Sequence, residues 1–387
     1  MKQGWEIKKL GEVIVENKKS TTKSKGNEGG EFPFFISGKN IKTINQSIID
    51  GRNIFLPTGG NFYVHFYDGA ASYSTDTWSI RTKYNSDIKY LFFFLLLNED
   101  LIGKKHFKGA TIKHLQKNDF KDIEIPLPSL PEQQRIVSIL DEAFAAIAKA
   151  KTNAQQNLQN AKELFESYLD DLFTKLFDTS EKKIISDVAK VIGGYSFKST
   201  DFTTKGKYQV IRMGNVRPGV IRENESPVFI DKLDEKALTK ALLQLNDVII
   251  TQTGTKKKRD YGFTVIIEKE NYLLNQRIAS IRFSDKYLPK FFLYFSWTNI
   301  FKDQYFANET GTVGQGNVGI GAITDAEIPF IPVKKQMQII DRIDELRIET
   351  QKLEAIYQKK ISDLEELKKS VLQKAFSGEL KTTAVVV

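Results

Sequence analysis

Apolar and small side chains recur at steps of three or four residues along two long segments of the chain, and this spacing predicts two long helices with apolar seams. In the first segment the seam residues are Ile136, Leu140, Ala143, Ile147, Ala150, Ala154, Leu158, Ala161, Phe165, Tyr168, Leu172 and Leu176. In the second segment they are Ile339, Ile343, Leu346, Leu353, Tyr357, Ile361, Leu364, Leu367, Val371 and Ala375. Lysine and glutamate fill the other faces.

The first predicted helix has a clear start. Ser129 and Glu132 have the spacing of a capping box, and Pro131 lies in the first turn, where its missing N–H is not needed. About 45 helical residues would extend roughly 65 to 70 Å, which no single small domain covers. The two seams are therefore predicted to pack on each other, either as a coiled coil with no further role or as a spacer of fixed length.

One chain segment is repeated. EIPLPSLPEQQRIVSILDE (124–142) returns without a gap as EIPFIPVKKQMQIIDRIDE (327–345), with matching residues 203 positions apart. The similarity continues from 167–177 to 370–380 and, with shifted offsets, from 86–96 to 284–295 and from 10–13 to 185–188. A repeat this long indicates a duplicated domain rather than a solenoid unit. Equivalent flanking halves make an antiparallel helix pair about a pseudo-twofold axis the favoured arrangement.

Short apolar runs punctuated by glycine and asparagine open each copy, which predicts β-rich globular halves. These runs are 30–37, 52–60, 207–216 and 246–254. The fold class is therefore predicted as α+β: two β-rich globular domains in tandem duplication, separated by two long antiparallel coiled-coil helices with pseudo-twofold symmetry.

Composition narrows the range of possible functions. The chain has 387 residues, 41% of them hydrophobic, and no cysteine, which excludes disulfides, cysteine-ligated metals and thiol nucleophiles. A net charge of +9 suggests a polyanionic partner, because lysine and arginine gain affinity by releasing counterions from phosphate. The start lacks the apolar core of a secretory signal and the most apolar run, 90–97, is too short to cross a bilayer, so a cytoplasmic protein without membrane contact is expected.

The segment TGTKKKRDYG (253–262) is the strongest candidate for phosphate contact. Its cations follow small residues whose side chains and amides could approach phosphate, and the first copy keeps the Thr-Gly pair at Thr58 and Gly59. A solvated hairpin tip is the alternative. The candidates in this segment and its counterpart are Thr58, Thr253, Thr255, Lys256, Lys257, Lys258 and Arg259.

Other polar loops carry side chains that pair well with guanine and adenine edges or with phosphate. These further DNA-binding candidates are Lys39, Asn40, Lys42, Lys108, Lys113, His114, Arg212, Asn215 and Arg217. Each of them taken singly is more often an ordinary surface residue than a DNA contact.

Motifs for catalysis are missing from the sequence. GQGNVG (314–319) has the spacing of a dinucleotide-binding turn but lacks the preceding strand and following helix, so a flexible glycine-rich loop is predicted. No phosphate loop, amino-methyltransferase motif, nucleophile elbow or zinc-protease motif is present. The carboxylates concentrate on the helices, where they form ordinary solvated pairs with lysine.

The run GATIKHLQKNDFKDIEIPLPSLPEQQRIVSILDE (109–142) resembles the signature of the specificity (S) subunit of type I restriction-modification systems. YSTDTWSI (73–80), NDVIITQTGT (246–255) and the opening Trp5 to Val13 are similar to other parts of that pattern. The second copy is weaker, since Lys334 and Lys335 replace the Pro-Glu pair while Gln336 is kept.

The resemblance covers nearly the whole chain and implies a non-catalytic subunit. Each recognition domain would read one half of a bipartite, asymmetric site in double-stranded DNA, and the helices would set the unread spacer. Two methyltransferase (M) subunits would dock along the helices and restriction/translocase (R) subunits would join for cleavage. This chain would hold no cofactor, with S-adenosylmethionine, ATP and magnesium on the partners.

The predicted boundaries are a recognition domain at 1–128, a spacer helix at 129–178, a second recognition domain at 179–331, a second helix at 332–378 and a flexible tail at 379–387. Residues expected in the helix seam or in partner docking are Gln133, Ile136, Leu140, Gln336, Ile339 and Ile343. A coiled-coil scaffold with two protein- or RNA-binding domains is the alternative function, and an intrinsic nuclease is a third.

Overall fold

The computed structural model of the chain describes residues 4–25, 29–83, 85–312 and 314–380. The chain forms two compact units, the first made of residues 1–156 and 357–387 and the second of residues 157–356. Each of the two long helices contributes one segment to each unit, so the units are not bounded where the helices begin. Most of the predicted tail, 379–387, lies outside the described residues.

The first unit contains eleven strands among its described residues, and five helices begin in it. The strands are β1 (Glu6–Lys9), β2 (Ile14–Glu16), β3 (Phe32–Phe35), β4 (Lys42–Ile44), β5 (Arg52–Pro57), β6 (His65–Asp68), β7 (Ser72–Tyr73), β8 (Thr77–Thr82), β9 (Phe107–Lys108), β10 (His114–Leu115) and β11 (Glu124–Leu127). The helices are α1 (Leu10–Val13), α2 (Ile88–Leu97), α3 (Glu99–Lys105), α4 (Lys117–Lys121) and α5 (Leu130–Thr179).

A four-stranded antiparallel sheet in the order β2-β8-β5-β6 forms the centre of this unit. Both faces of β5 are buried, which explains its nearly continuous apolar sequence. On one face Ile54 and Leu56 pack with α2 and with the α5 residues Ile136 and Leu140. On the other face Phe55 stacks on a phenylalanine of β3 with ring centroids 4.0 Å apart.

The second unit repeats this architecture. Its strands are β12 (Glu181–Ile184), β13 (Ala189–Gly193), β14 (Tyr208–Ile211), β15 (Val216–Arg217), β16 (Val220–Ile221), β17 (Phe229–Ile230), β18 (Val248–Thr251), β19 (Thr253–Gly254), β20 (Thr264–Ile266), β21 (Tyr272–Leu274), β22 (Ile278–Phe283), β23 (Thr310–Thr312), β24 (Gln315–Asn317) and β25 (Glu327–Phe330). Its helices are α6 (Ile185–Val188), α7 (Glu235–Ala241), α8 (Pro289–Phe295), α9 (Asn299–Ala307), α10 (Ile320–Thr324) and α11 (Val333–Ser377), with two short 3-10 turns at Ser199–Asp201 and Met213–Asn215.

Sheet order confirms the tandem duplication. The central sheet β13-β22-β18-β20 matches β2-β8-β5-β6, and β12 pairs with β25 as β1 pairs with β11. In both units a strand of the smaller sheet also has a parallel neighbour, β7 beside β3 and β21 beside β14. The α+β class with β-rich halves is therefore confirmed, and equivalent positions of the two units can be compared through strand register.

The long helices α5 and α11 have 50 and 45 residues. Within the first unit they run antiparallel, because Lys368 lies over the ring of Phe144 while Lys151 pairs with Glu365. Nearly all predicted seam residues are buried or half-buried. Leu353 is the exception: it is 38% exposed, and Thr350, one turn earlier, is buried at the position where the apolar spacing fails.

The GQGNVG segment is not a flexible loop. Gln315–Asn317 forms β24, the middle strand of a three-stranded sheet with β19 and β23. Gly316 is buried, and a Cβ there would lie 2.2 Å from the Tyr261 hydroxyl. Glycine is needed because another chain segment packs directly on the strand, a feature that the flanking sequence does not reveal.

Candidate nucleic-acid interface

Several predicted DNA-binding residues of the first unit meet at one end of its central sheet. Thr58 and Gly59 follow β5, and Gly59 forms an isolated bridge with His114 of the β9–β10 hairpin. The Gly60 N–H donates to the Lys113 carbonyl at 2.9 Å. The strand end and the hairpin, which are more than 50 residues apart in sequence, thereby form one surface.

The basic side chains on this surface differ in whether they are already held in an ion pair. Lys108 is held in an exposed ion pair with Asp119 at 2.7 Å. Lys113 and His114 are exposed, and neither side chain makes an ion pair with another described residue. Ile112 between the hairpin strands is 62% exposed. The tip of the hairpin therefore presents one free lysine, one imidazole and one apolar side chain.

Asp76 joins two loops at this end of the first unit. Its carbonyl accepts hydrogen bonds from the Thr58 N–H and hydroxyl, both at 2.9 Å, and from the Ser37 hydroxyl. Its carboxylate accepts from Ser24 at 2.8 Å. Asp76 is not among the predicted DNA-binding residues, although it lies within YSTDTWSI (73–80), one of the segments that carry the family resemblance.

The loop between β3 and β4, together with the first residue of β4, holds three further candidates. Lys39 and Asn40 are exposed. The Lys42 ammonium donates to the carbonyls of Ser24 and Lys25 at 2.9 and 3.1 Å, so part of its hydrogen-bonding capacity holds the neighbouring loop. The Ser37 bond to Asp76 ties this loop to the same end of the sheet as the hairpin.

In the second unit, two threonines predicted to contact phosphate have other roles. Thr253 is buried, and its hydroxyl donates to the Asn317 side chain at 2.8 Å. The Thr255 N–H donates to the Asp260 carboxylate at 2.6 Å and the Thr255 hydroxyl donates to the other oxygen at 3.2 Å. The expected backbone anion site is thus filled by the loop's own carboxylate, and the Thr255 N–H lowers the pKa of Asp260.

The four cations that follow are arranged in a turn. Lys257, Lys258 and Arg259 are exposed and Lys256 is half-buried; no ion pair involving the three lysines exists within the described ranges. Arg259 lies over the ring of Phe306 at 4.8 Å and has a positive φ of 46°. Ring stacking fixes the arginine and leaves the three lysines as the free charge of the loop.

In the segment from Arg212 to Arg217, one of the predicted DNA-binding residues is buried. Asn215 is 3% exposed, and its amide donates to the carbonyls of Arg222 and Glu225 at 3.2 and 2.8 Å. The Asn215 side chain therefore stabilises the loop from within and is not available to DNA. Arg217 donates to the carbonyls of Gly214 and Val216, and Arg212 to that of Ser226.

The turn at Gln276 and Arg277, outside the predicted DNA-binding residues, occupies the position that Asp76 holds in the first unit. Gln276 and Arg277 are equivalent to Thr75 and Asp76 of the first unit. The strand register shows this, because Ile278 pairs with Thr251 in the second unit as Thr77 pairs with Pro57 in the first. Both Gln276 and Arg277 are exposed, and Arg277 has a φ of 71°, which is unfavourable for a side-chain-bearing residue. Its carbonyl accepts from the Gln252 N–H at 2.9 Å.

Comparison with known proteins agrees with this arrangement. A family described as "Type I restriction modification DNA specificity domain" matches residues 2–157 and 178–362, one segment in each copy of the repeat.

The chain belongs to this family.

Two curated relatives of the chain are named as specificity subunits of type I restriction enzymes. The chain is similar to the type I restriction enzyme MjaVIII specificity subunit of Methanocaldococcus jannaschii, at 24% identity over 98% of this chain and 93% of that protein. It is also similar to the type I restriction enzyme EcoDI specificity subunit of Escherichia coli, at 23% identity over 97% and 88%. The chain is thus a type I restriction-modification DNA specificity subunit.

Solved structures share the fold. One, titled for complex assembly and conformational transition of a type I R-M system, has a TM-score of 0.76 at 17% identity and covers 98% of this chain and 99% of that chain. The HsdS subunit from Thermoanaerobacter tengcongensis has a TM-score of 0.60 at 17% identity, with 98% of each chain covered. At this identity the likeness concerns the fold.

The predicted seam and docking residues of this specificity subunit lie largely inside the protein. Gln133, Ile136, Leu140, Gln336 and Ile343 are at most 1% exposed, and Ile339 is half-buried. Burial places them in the helix seam and core, so a partner docking on the helices would contact other side chains. Within the part of the chain that the structure covers, no helix is long and apolar enough to span a membrane.

Proposed function

We propose that each unit of this specificity subunit reads one half of a bipartite, asymmetric site in double-stranded DNA. The observation that carries the proposal is the equivalence of the two loop surfaces. In each unit the chain after the strand end, β5 or β18, lies against a hairpin, β9–β10 or β23–β24. The polar residues of the two surfaces differ: Lys113 and His114 on the hairpin of the first unit, and Lys256–Lys258 after β19 with Arg277 in the turn before β22 in the second. Equivalent scaffolds with different polar side chains suit two different half-sites.

The helices α5 and α11 would set the length of DNA left unread between the half-sites and would dock two methyltransferase (M) subunits. Those subunits would bind S-adenosylmethionine and methylate adenine at N6 after flipping the base. Restriction/translocase (R) subunits would bring ATP and magnesium chemistry. This chain would contribute recognition and no catalytic group.

Competition binding tests the proposal on the complex of the full chain with its M subunits. A labelled duplex carrying the methylated motif should be displaced by unlabelled motif at concentrations orders of magnitude below those needed with scrambled duplex, at about 0.15 M salt. Equal displacement by both competitors would contradict it. Family membership gives no support to the alternative, a coiled-coil scaffold for proteins or RNA; the same assay with single-stranded RNA as competitor would reveal that function.

A further inference from the structure

Strand β2 leaves the central sheet of the first unit at the end where the candidate DNA surface lies. It pairs antiparallel with β8, and its last residue, Glu16, lies beside Ile80. The first residue of β8, Thr77, lies beside Pro57, which directly precedes Thr58. Because β2 runs against β8, the chain after Glu16 continues toward Thr58.

The segment that follows, NKKSTTKSK (17–25), carries four lysines: Lys18, Lys19, Lys23 and Lys25. We call it the basic segment. All four lysines are exposed, and none of them forms an ion pair with another described residue. They are not among the predicted DNA-binding residues. A run of lysines in a loop is usually only a solvated surface, so a further role requires that the segment be held in place.

Hydrogen bonds hold the backbone of the basic segment against the first unit. The Lys18 carbonyl accepts from the Tyr73 hydroxyl, and the Thr22 carbonyl accepts from the Thr75 N–H at 2.8 Å. Inside the segment the buried Ser20 hydroxyl accepts from the Thr22 N–H at 3.1 Å. The backbone of the segment is therefore ordered while its lysine side chains remain exposed.

The last residues of the basic segment share Asp76 with the candidate DNA surface. The Ser24 hydroxyl donates to the Asp76 carboxylate at 2.8 Å, and the Asp76 carbonyl accepts from the Thr58 hydroxyl at 2.9 Å. The Lys42 ammonium donates to the carbonyls of Ser24 and Lys25 at 2.9 and 3.1 Å. The lysines of the segment thus lie beside two loops of that surface.

The carboxylate that precedes the basic segment, that of Glu16, is already paired. It lies 2.6 Å from the Lys121 ammonium and 3.9 Å from that of Lys117, and it accepts from the Trp78 ring N–H at 2.9 Å. Burial lowers the pKa of Lys117, and the nearby positive charge of Lys19 lowers it further. Lys19 therefore adds to a group of cations at α4 and is not cancelled by Glu16.

The second unit forms the same sheet without this charge. Ala189 of β13 is equivalent to Ile14 of β2, because both strands begin beside equivalent residues of their neighbour, β22 or β8. Gly194 then occupies the position of Lys19, and a Cβ at Gly194 would lie 2.0 Å from the Asn275 carbonyl oxygen. The lysines of the first unit are therefore not needed for the fold.

Unpaired lysines of the second unit come from a different segment, Lys256–Lys258 after β19. The equivalent stretch of the first unit, 58–64, contains no lysine or arginine. The basic segment thus supplies in the first unit the kind of charge that the turn after β19 supplies in the second.

We infer that the basic segment binds phosphates of the DNA around the half-site of the first unit, an inference that rests on the proposed function. Lysine ammonium groups gain affinity by releasing counterions from phosphate and carry no sequence information by themselves. Because the backbone is already ordered, DNA binding does not have to fix it. The segment therefore sets affinity and position on the duplex, while neighbouring loops read the bases.

Fluorescence anisotropy across a salt series tests the inference on the complex of the full chain with its M subunits. The variant K18S/K19S/K23S/K25S should weaken binding to specific and scrambled duplexes by similar factors. If all four lysines neutralise phosphates, the slope of log affinity against log salt should become shallower by up to about 3.6. The variant K18R/K19R/K23R/K25R keeps the charge and should keep the slope of the natural chain.

The matched control K190S/K232S/K236S/K240S removes the same charge from exposed positions of the second unit and should leave the slope unchanged. An unchanged slope in the serine variant, or an equal loss in the control, would overturn the inference. Weaker binding to the specific duplex alone would overturn it in favour of base reading.

A serine variant that keeps its slope but loses its M subunits in size-exclusion chromatography would reassign the lysines to a protein contact. These outcomes leave the proposed function intact as long as the natural complex prefers its motif. Equal affinity of the natural complex for specific and scrambled duplexes would instead contradict the proposed function itself.

Discussion

The side-chain oxygen of Gln133 accepts a hydrogen bond from the Asp87 backbone N–H at 2.8 Å. Its amide nitrogen donates to the Pro128 carbonyl, also at 2.8 Å. In the second unit Gln336 makes the same pair of bonds, to the Leu288 N–H and the Ile331 carbonyl. The glutamine present in both copies therefore links the first turn of each long helix to the loop that precedes a shorter helix, α2 in the first unit and α8 in the second.

Replacing Gln133 with leucine should destabilise the first unit. The side chain is fully buried, so its loss leaves the Asp87 N–H and the Pro128 carbonyl without partners, at about 1 to 3 kcal/mol for each buried group. Urea unfolding followed by circular dichroism measures the change. The control Q134L alters the exposed neighbouring glutamine, and a Q133L midpoint equal to that of Q134L would show that the bonds contribute nothing.

Two histidines make stability depend on pH. Burial lowers the pKa of His65 and of His106 below the ordinary value of 6.5. The unfolded chain therefore binds more protons than the folded chain once pH falls below about 6.5, so the free energy of unfolding should decrease from there down to the folded-state pKa values. The variant H65F/H106F should flatten that slope, as measured by urea unfolding between pH 5 and 7.

The third histidine provides the matched control, because His114 is exposed. H114F should keep the slope of the natural chain. A slope that H65F/H106F leaves unchanged would assign the pH dependence to other groups.

The lysines of the second-unit turn should act through phosphate rather than through sequence. Replacing Lys256, Lys257 and Lys258 with serine should weaken binding to specific and scrambled duplexes by similar factors. If all three neutralise phosphates, the slope of log affinity against log salt should fall by up to about 2.7. Fluorescence anisotropy across a salt series measures it; K232S/K236S/K240S, which removes three exposed lysines elsewhere in the unit, should leave the slope unchanged.

The long helices should act as a ruler. Seven residues inserted after Gln156 and seven after Ile356 lengthen each helix by two turns, about 10.5 Å, which corresponds to roughly three base pairs. The methylated motif should keep both half-sites and gain unread positions between them. Altered half-site sequences in methylation sequencing would contradict a pure spacing role.

The duplication could be predicted because similar sequence segments recur at long range along the chain. The helix seams could be predicted because buried positions of a helix recur every three or four residues. Thr350 was missed since its hydroxyl bonds back to the Leu346 carbonyl of its own helix at 3.0 Å and so tolerates burial in the seam. A spacing search that counts apolar residues passes over such a threonine.

The candidate interface was only partly predictable, because the polar residues of a loop look alike in sequence whether they face solvent or brace the loop. Asn215 and Thr253 became internal hydrogen-bonding groups through partners 7 to 64 residues away. Gly59 and His114 met only because a hairpin folds onto the end of β5. Arg277 could have been found by aligning the repeat through its strands, which requires the register that the structure supplies.

A hybrid subunit tests the central claim, that the two units read separate half-sites, most directly. Residues 14–110 of this chain would be replaced by the equivalent segment of a relative with a known motif, and the methylated motif would be read by single-molecule sequencing in a host that supplies the M subunits. We expect one half-site to change to that of the donor while the other half-site and the spacer length stay as they were. A motif in which both half-sites change, or neither does, would contradict the account.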